Sequence, residues 1–161
     1  MMIREELKRL LFEADEESAT DLMQVEVICD GNAWQVLERA TEALAVILSV
    51  ENICNNKDEW QTDDSYKLLE SWFESNVLPH INDEDDDDVS RDIDKVRWFG
   101  EGRDWFWWTA RVLDDNRLFV YIMLDGFPVS GFDNLRWLLH CCGASQVEQG
   151  PAVGSSDIPA P

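Results

Sequence analysis

Apolar positions recur every three or four residues through most of the first half of this chain and every two residues through much of the second, so helices should precede a sheet. Ile3, Leu7, Leu10 and Leu11 share one side of a helix, with Arg4, Glu5, Glu6, Lys8 and Arg9 around the other, which predicts an amphipathic helix from residue 3 to about 14. Met23, Val25, Val27 and Cys29 alternate along a β-branched stretch ahead of the Asp30-Gly31 turn. That pattern predicts a short strand, with a continuing helix as the alternative. Asn32 followed by Gln35 resembles a capping box, and Trp34, Leu37, Leu44, Ile47 and Leu48 then line one broad face of a buried helix running to about Val50. Ala40, Ala43 and Ala45 allow its close packing. After a polar stretch from Cys54, Asp63 or Asp64 caps a further helix in which Tyr66, Leu69, Trp72, Phe73 and Val77 share a face, and Pro79 stops it.

The run Asp83-Glu84-Asp85-Asp86-Asp87-Asp88 interrupts this order, since six like charges repel one another and cannot enter a core. It is read as a solvated loop. Beyond it, Val96 to Phe99, Trp105 to Leu113 and Leu118 to Leu124 are β-prone and separated by Gly100-Glu101-Gly102 and Asp114-Asp115-Asn116, which predicts an antiparallel meander. In its middle strand Trp105, Trp107, Thr109 and Arg111 oppose Phe106, Trp108, Ala110 and Val112; in the next, Leu118, Val120 and Ile122 oppose Phe119, Tyr121 and Met123. Both faces are largely apolar, so helices cover both, or one face is offered to a partner. A last helix, capped at Asp133, carries Leu135, Leu138, Leu139 and Cys142 to Gly143. The expected organisation is a single acidic α+β domain over residues 1–143, a Trp-rich antiparallel meander packed with three to four amphipathic helices. A flexible Gly/Ser/Pro/Ala tail over 144–161 follows it.

Charge changes the picture from fold to partner. The chain of 161 residues has a net charge of −21, and this is unevenly placed: residues 1–90 carry 24 acidic and 6 basic residues, net −18, and residues 91–161 carry 10 and 7, net −3. Five of the eight tryptophans fall in the second part. Self-repulsion on this scale disfavours the compact state, so a basic partner explains it better than folding does, although solubility alone also favours acidity. Direct nucleic-acid binding is disfavoured, because phosphates would meet a negative surface. No run approaches 18 uncharged apolar residues, and Met1 to Leu11 contains no uninterrupted apolar segment, so neither a membrane span nor a signal peptide is read. Cys29, Cys54, Cys141 and Cys142 lack CxxC spacing, which points to reduced thiols and a cytoplasmic setting.

Catalytic chemistry finds little support. His140 beside Cys141 and Cys142 suggests a metal or a thiol–imidazole pair, but consecutive helical residues diverge and no second ligand cluster has the usual spacing. The acidic run lacks the glycine and glutamate positions of an EF-hand, and no phosphate-binding glycine loop or nucleophile elbow occurs. No cofactor or metal is implied, and the chain is not read as an enzyme. Partner binding has more to draw on. Asp58, Glu59 and Asp63 in a polar stretch, Asp64, Glu70 and Glu74 on the helix after it, and Asp85, Asp86, Asp87 and Asp88 in the acidic run would together imitate a nucleic-acid backbone. Trp60 stands where no core periodicity claims it and is either the aromatic anchor of that interface or a plug against its own domain.

In being small, acidic and single-domain, with a tryptophan-rich sheet and no catalytic set, residues 1 to about 143 resemble the immunity proteins encoded beside bacterial polymorphic toxins, of the contact-dependent inhibition and type VI secretion type. The resemblance is one of type and carries over no individual residue. It implies neutralisation of a cognate basic toxin domain, one to one, by occlusion of its active site or substrate entry, with nucleases and nucleotide-consuming enzymes the expected class. The alternatives are a phage-type DNA-mimic inhibitor of a host nuclease, and an adaptor or chaperone that presents the apolar sheet or the tail. Neither a membrane nor a nucleic acid is expected as partner, and a homodimer is allowed but not indicated.

Overall fold

The computed structural model describes residues 3–11, 21–55, 63–77, 79, 99, 103–124 and 132–159. In chain order these form α1 (Ile3–Leu11), β1 (Leu22–Ile28), α2 (Ala33–Asn55), α3 (Asp63–Asn76), β2 (Trp105–Asp114), β3 (Arg117–Leu124), α4 (Phe132–Cys141) and β4 (Gln146–Val153), followed by a 3₁₀ turn at Ser155–Asp157. The class is α+β, with four helices and a four-stranded antiparallel sheet among the described residues.

Strand order is β2-β3-β1-β4, so β1 enters the middle of the sheet instead of standing beside a meander. The β2–β3 hairpin turns at Asp115–Asn116, where the Asp114 carboxylate accepts from the Asn116 N–H at 2.8 Å. Of the first expected strand only Phe99 is described; it belongs to no strand and packs edge-to-face on Trp105, centroids 6.2 Å apart at 81°. The uniform alternation expected of β2 also fails at two points. Register with β3 shifts between Val112 and Asp114, at Leu113, and between Trp107 and Thr109, which leaves Trp108 as an extra residue. Trp105 and Trp107 therefore face the main core, and after the bulge Ala110 and Val112 face it instead of Thr109 and Arg111.

That core lies between one sheet face and the helices. Met23, Val25 and Val27 of β1 and Leu118, Val120 and Ile122 of β3 meet Val36, Ala40, Ala43, Leu44, Ile47 and Leu48 of α2, Leu69 and Phe73 of α3, and Leu135, Trp137, Leu138 and Leu139 of α4. Each fully buried Leu or Ile contributes roughly 1.5–3 kcal/mol by its removal from water. Phe73 and Trp137 stack at 5.4 Å and 10°, and Trp105 Nε1 donates to Asn134 Oδ1 at 3.0 Å, so the two buried indoles tie α3, α4 and β2 together. At the end of α4, Gly143 adopts φ 109°, Ala144 N donates to Leu139 O at 3.1 Å and Gly143 N to His140 O at 3.0 Å. This Schellman arrangement satisfies the last carbonyls and turns the chain toward β4.

Two edges needed protection. β2 is shielded by α1, where Glu6, expected on the solvent side, is fully buried: its carboxylate receives both Arg103 guanidinium nitrogens at 2.7 and 2.6 Å and the Trp107 N–H at 2.7 Å. Arg9, expected beside it in water, lies 3.4 Å over the Trp108 ring. The other edge is made by β4, within the segment expected to be a flexible tail. β1 offers an unpaired edge, and β4 pairs with it from Gln146 opposite Ile28 to Val153 opposite Leu22. Gly150 permits this, since a Cβ there would stand 2.5 Å from the Gln24 carbonyl oxygen, and the local register shift absorbs Gly150 and Pro151. Composition predicted mobility; the open ladder on β1 decides otherwise.

Candidate protein-interaction surface

The head of α2 and the β2–β3 hairpin are knotted by backbone hydrogen bonds. Cys29 N donates to Asn116 O at 2.7 Å, Gly31 N to Asn116 Oδ1 at 2.9 Å and Ala33 N to Asp115 O at 3.0 Å. Gly31 makes the turn at φ 73°. The Asn32 side chain does not act as a simple cap: its Oδ1 accepts from Asp30 N, and its amide donates to Gly143 O at 3.2 Å. Arg39 donates to Cys142 O at 3.1 Å from the next turn of α2, so the helix head is fixed against α4 as well.

Onto this rigid corner the chain sets Trp34, which is 61% exposed. Trp34 was expected on the buried face, but α2 buries Ala33, Val36, Ala40, Ala43 and Ile47, with Leu44 and Leu48 alongside, and that stripe turns Trp34 outward. The steps 33-36-40-43-47 were the sequence signal for this; the small alanines within them concealed it. Glu38 and Glu42 follow at four and eight residues from Trp34 on the exposed side of α2, and Asp30, Asp114 and Asp115 are exposed on the knotted turns beside the helix head. Leu113, 37% exposed, precedes the hairpin acids. The nearby Arg117 Nε lies 3.8 Å from Glu26, which turns part of its charge toward the sheet.

The residues singled out from the sequence fare differently. Asp58, Glu59, Trp60, Asp85, Asp86, Asp87 and Asp88 lie outside the described residues. Asp63 and Asp64 begin α3, with side chains outside the description. Glu74 is exposed on α3 and Glu70 is half-buried, while Leu68 between the buried turns is 73% exposed. Leu69, Phe73 and Val77 are buried as their spacing implies, and Trp72 packs half-buried against them.

Among the described residues Cys29, Cys141 and Cys142 are buried free thiols. Burial pushes the Cys29 pKa up to about 11 and that of Cys142 higher still, so both are neutral at pH 7. His140, buried, places Nδ1 3.1 Å from the Ala144 carbonyl at the end of its own helix. Among the described residues no three His, Cys, Asp or Glu side chains gather as a metal site, and no helix is long and apolar enough to cross a membrane. Comparison with protein-family models, with curated proteins and with solved structures finds no match for this chain.

Proposed function

We propose that this chain is a cytoplasmic, non-catalytic binder of a basic protein, acting as immunity proteins do: it occludes the active site or substrate entry of a cognate toxin domain of nuclease or nucleotide-consuming type. The observation that carries the reading is Trp34, exposed on a rigid corner with Asp30, Glu38, Asp114 and Asp115 about it. An exposed aromatic side chain among several carboxylates is the arrangement of a hot spot with electrostatic guidance. Exposed carboxylates contribute only about 0–1 kcal/mol each as ion pairs, so they speed encounter more than they hold the complex. The anchor supplies the affinity. About 60% of an indole surface of ~250 Å² is free, and burying it is worth at most ~4 kcal/mol at ~25 cal/mol per Å². Exposed Glu74 on α3 adds to the overall negative charge that attracts a basic domain from a distance.

The test uses the basic C-terminal domain of a secreted protein encoded beside this gene, or, failing one, the protein that copurifies with the untagged chain. With Glu38→Lys, Asp114→Lys and Asp115→Lys combined, association at low salt should slow by at least ~10-fold, and the difference should vanish near 1 M salt, where the Debye length is about 3 Å. Unchanged association at low salt, or copurification of an acidic partner, refutes the reading.

A further inference from the structure

The second face of the sheet carries its own apolar cluster, separate from the main core, with the Arg9 guanidinium of α1 lying 3.4 Å over its Trp108 ring. Leu22, Trp108 and Tyr121 are buried there, with Phe119 and Met123 half-buried around them. Tyr121 turns its hydroxyl to Gln24 Oε1 at 3.1 Å, and burial raises its pKa. Alternation sends Trp108 to the second face while Trp105 and Trp107 keep to the first, and the bulge after Trp107 then brings Thr109 and Arg111 to that second face as well.

A strap from the chain itself crosses this floor. After β4 the backbone turns through Ser155–Asp157, closed by Gly154 N to Asp157 Oδ2 at 3.0 Å and Asp157 N to Gly154 O at 2.9 Å. Ile158 leaves the turn at φ −73° and ψ 128°, in the polyproline II region, and its side chain packs on the Leu22–Trp108–Tyr121 cluster. Arg111 Nε then donates to the Pro159 carbonyl at 2.9 Å. Arg111 is set in place beforehand, with one guanidinium nitrogen donating to Thr109 Oγ1 at 2.9 Å and to Ala110 O at 2.8 Å. An aromatic floor, an apolar side chain ahead of a proline, a polyproline II backbone and a positioned donor to the proline carbonyl are the elements by which proline-rich segments are recognised. Here they are met within one chain.

We propose that this sheet face is a docking site for an extended apolar–proline segment of a partner protein, and that Ile158–Pro159 occupies it in cis as a displaceable resident. The strap meets this face through the Ile158 side chain, which stays half-buried, and the Arg111–Pro159 hydrogen bond, and Pro159 itself is exposed. Its contacts are apolar and backbone-directed, so binding here is insensitive to salt and independent of the acidic corner at Trp34. A tethered resident acts at an effective concentration of roughly 1 mM, so a strap whose own Kd as a free peptide is near 10 μM makes a partner segment bind the intact chain about 100-fold more weakly.

The test compares the intact chain with a chain ending at Val153, using a fluorescein-labelled peptide of residues 154–161 and fluorescence anisotropy. The peptide should bind the shortened chain and bind the intact chain about 100-fold more weakly, with little change up to about 0.5 M salt. Ile158→Ser in the peptide, or Arg111→Ala in the shortened chain, should weaken binding by about 5-fold or more. In case the shortened chain does not fold, the full-length double variant Ile158→Asp/Pro159→Ala releases the strap and should bind the wild-type peptide in the same way. Failure of a folded, strap-free chain to bind the peptide overturns the proposal, as does equal binding by the intact chain. Loss of cooperative unfolding in both variants also overturns it, by making the strap part of the core.

Discussion

Replacing Glu6 by Ala tests how α1 is held to the sheet. The carboxylate is fully buried, the Arg103 side chain is 4% exposed, and the pair is bidentate with a third hydrogen bond from Trp107 N. Removing the acid leaves a guanidinium buried beside the rings of Trp105 and Phe106, at 4.9 and 5.3 Å, and takes the acceptor from the Trp107 N–H. Stranding one partner of a buried ion pair costs ~3–5 kcal/mol, and a buried donor without its acceptor costs ~1–3 kcal/mol. The two overlap as the site relaxes, so about 4–6 kcal/mol is expected, a large share of the ~5–15 kcal/mol typical of a domain. Melting should fall by ~10–20 °C at roughly 2–4 °C per kcal/mol. The pair as a whole is a different matter. Glu6→Leu combined with Arg103→Met should lie within ~1–3 kcal/mol of the parent, because both desolvation costs vanish with the attraction and only the Trp107 N–H is left without its acceptor. Urea unfolding followed by tryptophan emission, together with calorimetry, measures the parent, Glu6→Ala and the double variant, and Glu6→Leu and Arg103→Met made singly close the double-mutant cycle. A Glu6→Ala chain within ~1 kcal/mol of the parent, or a double variant as unstable as the sum of the singles, refutes the reasoning.

Trp34→Ala should leave melting within about 1–2 °C of the parent while speeding dissociation from the basic partner by ~10–100-fold, read by surface plasmon resonance; loss of stability instead would make Trp34 a packing residue. Gly143→Ala should destabilise by ~1–3 kcal/mol in urea unfolding, because φ is 109° and the added methyl would stand 3.0 Å from Asn32 Nδ2. For Cys29 the folded pKa is raised from 9.0 to about 11, so above pH 9 the unfolded chain ionises first and stability falls as pH rises from about 9 to 11. Urea midpoints across that window, compared with Cys29→Ser, check the sign; a flat profile for the parent would show that the thiol does not carry the effect.

Helices α2 and α3, strand β1 and the β2–β3 hairpin were legible because a helix or strand that buries one face must repeat its apolar residues at 3.6 or 2, and that repeat is written locally. The acidic bias and its concentration before residue 90 were equally plain, as was the α+β class. What decided the candidate site was not local. Glu6 meets Arg103 from 97 positions away, Gly31 meets Asn116 from 85, and Asn32 meets Gly143 from 111. Each pairing sets what a side chain sees: a charge that reads as solvent-facing on an isolated α1 becomes the lock on a sheet edge, and a tryptophan that reads as core on α2 is turned outward by its alanine neighbours. The same holds for β4, whose glycine and proline argue for a loose end until the free edge of β1 supplies a ladder for it. Pattern and charge determined most of the elements, the class and the sign of the chain's charge. Only the tertiary structure decided which residues stand at the surface, because burial belongs to the pairing of distant segments and not to any one of them.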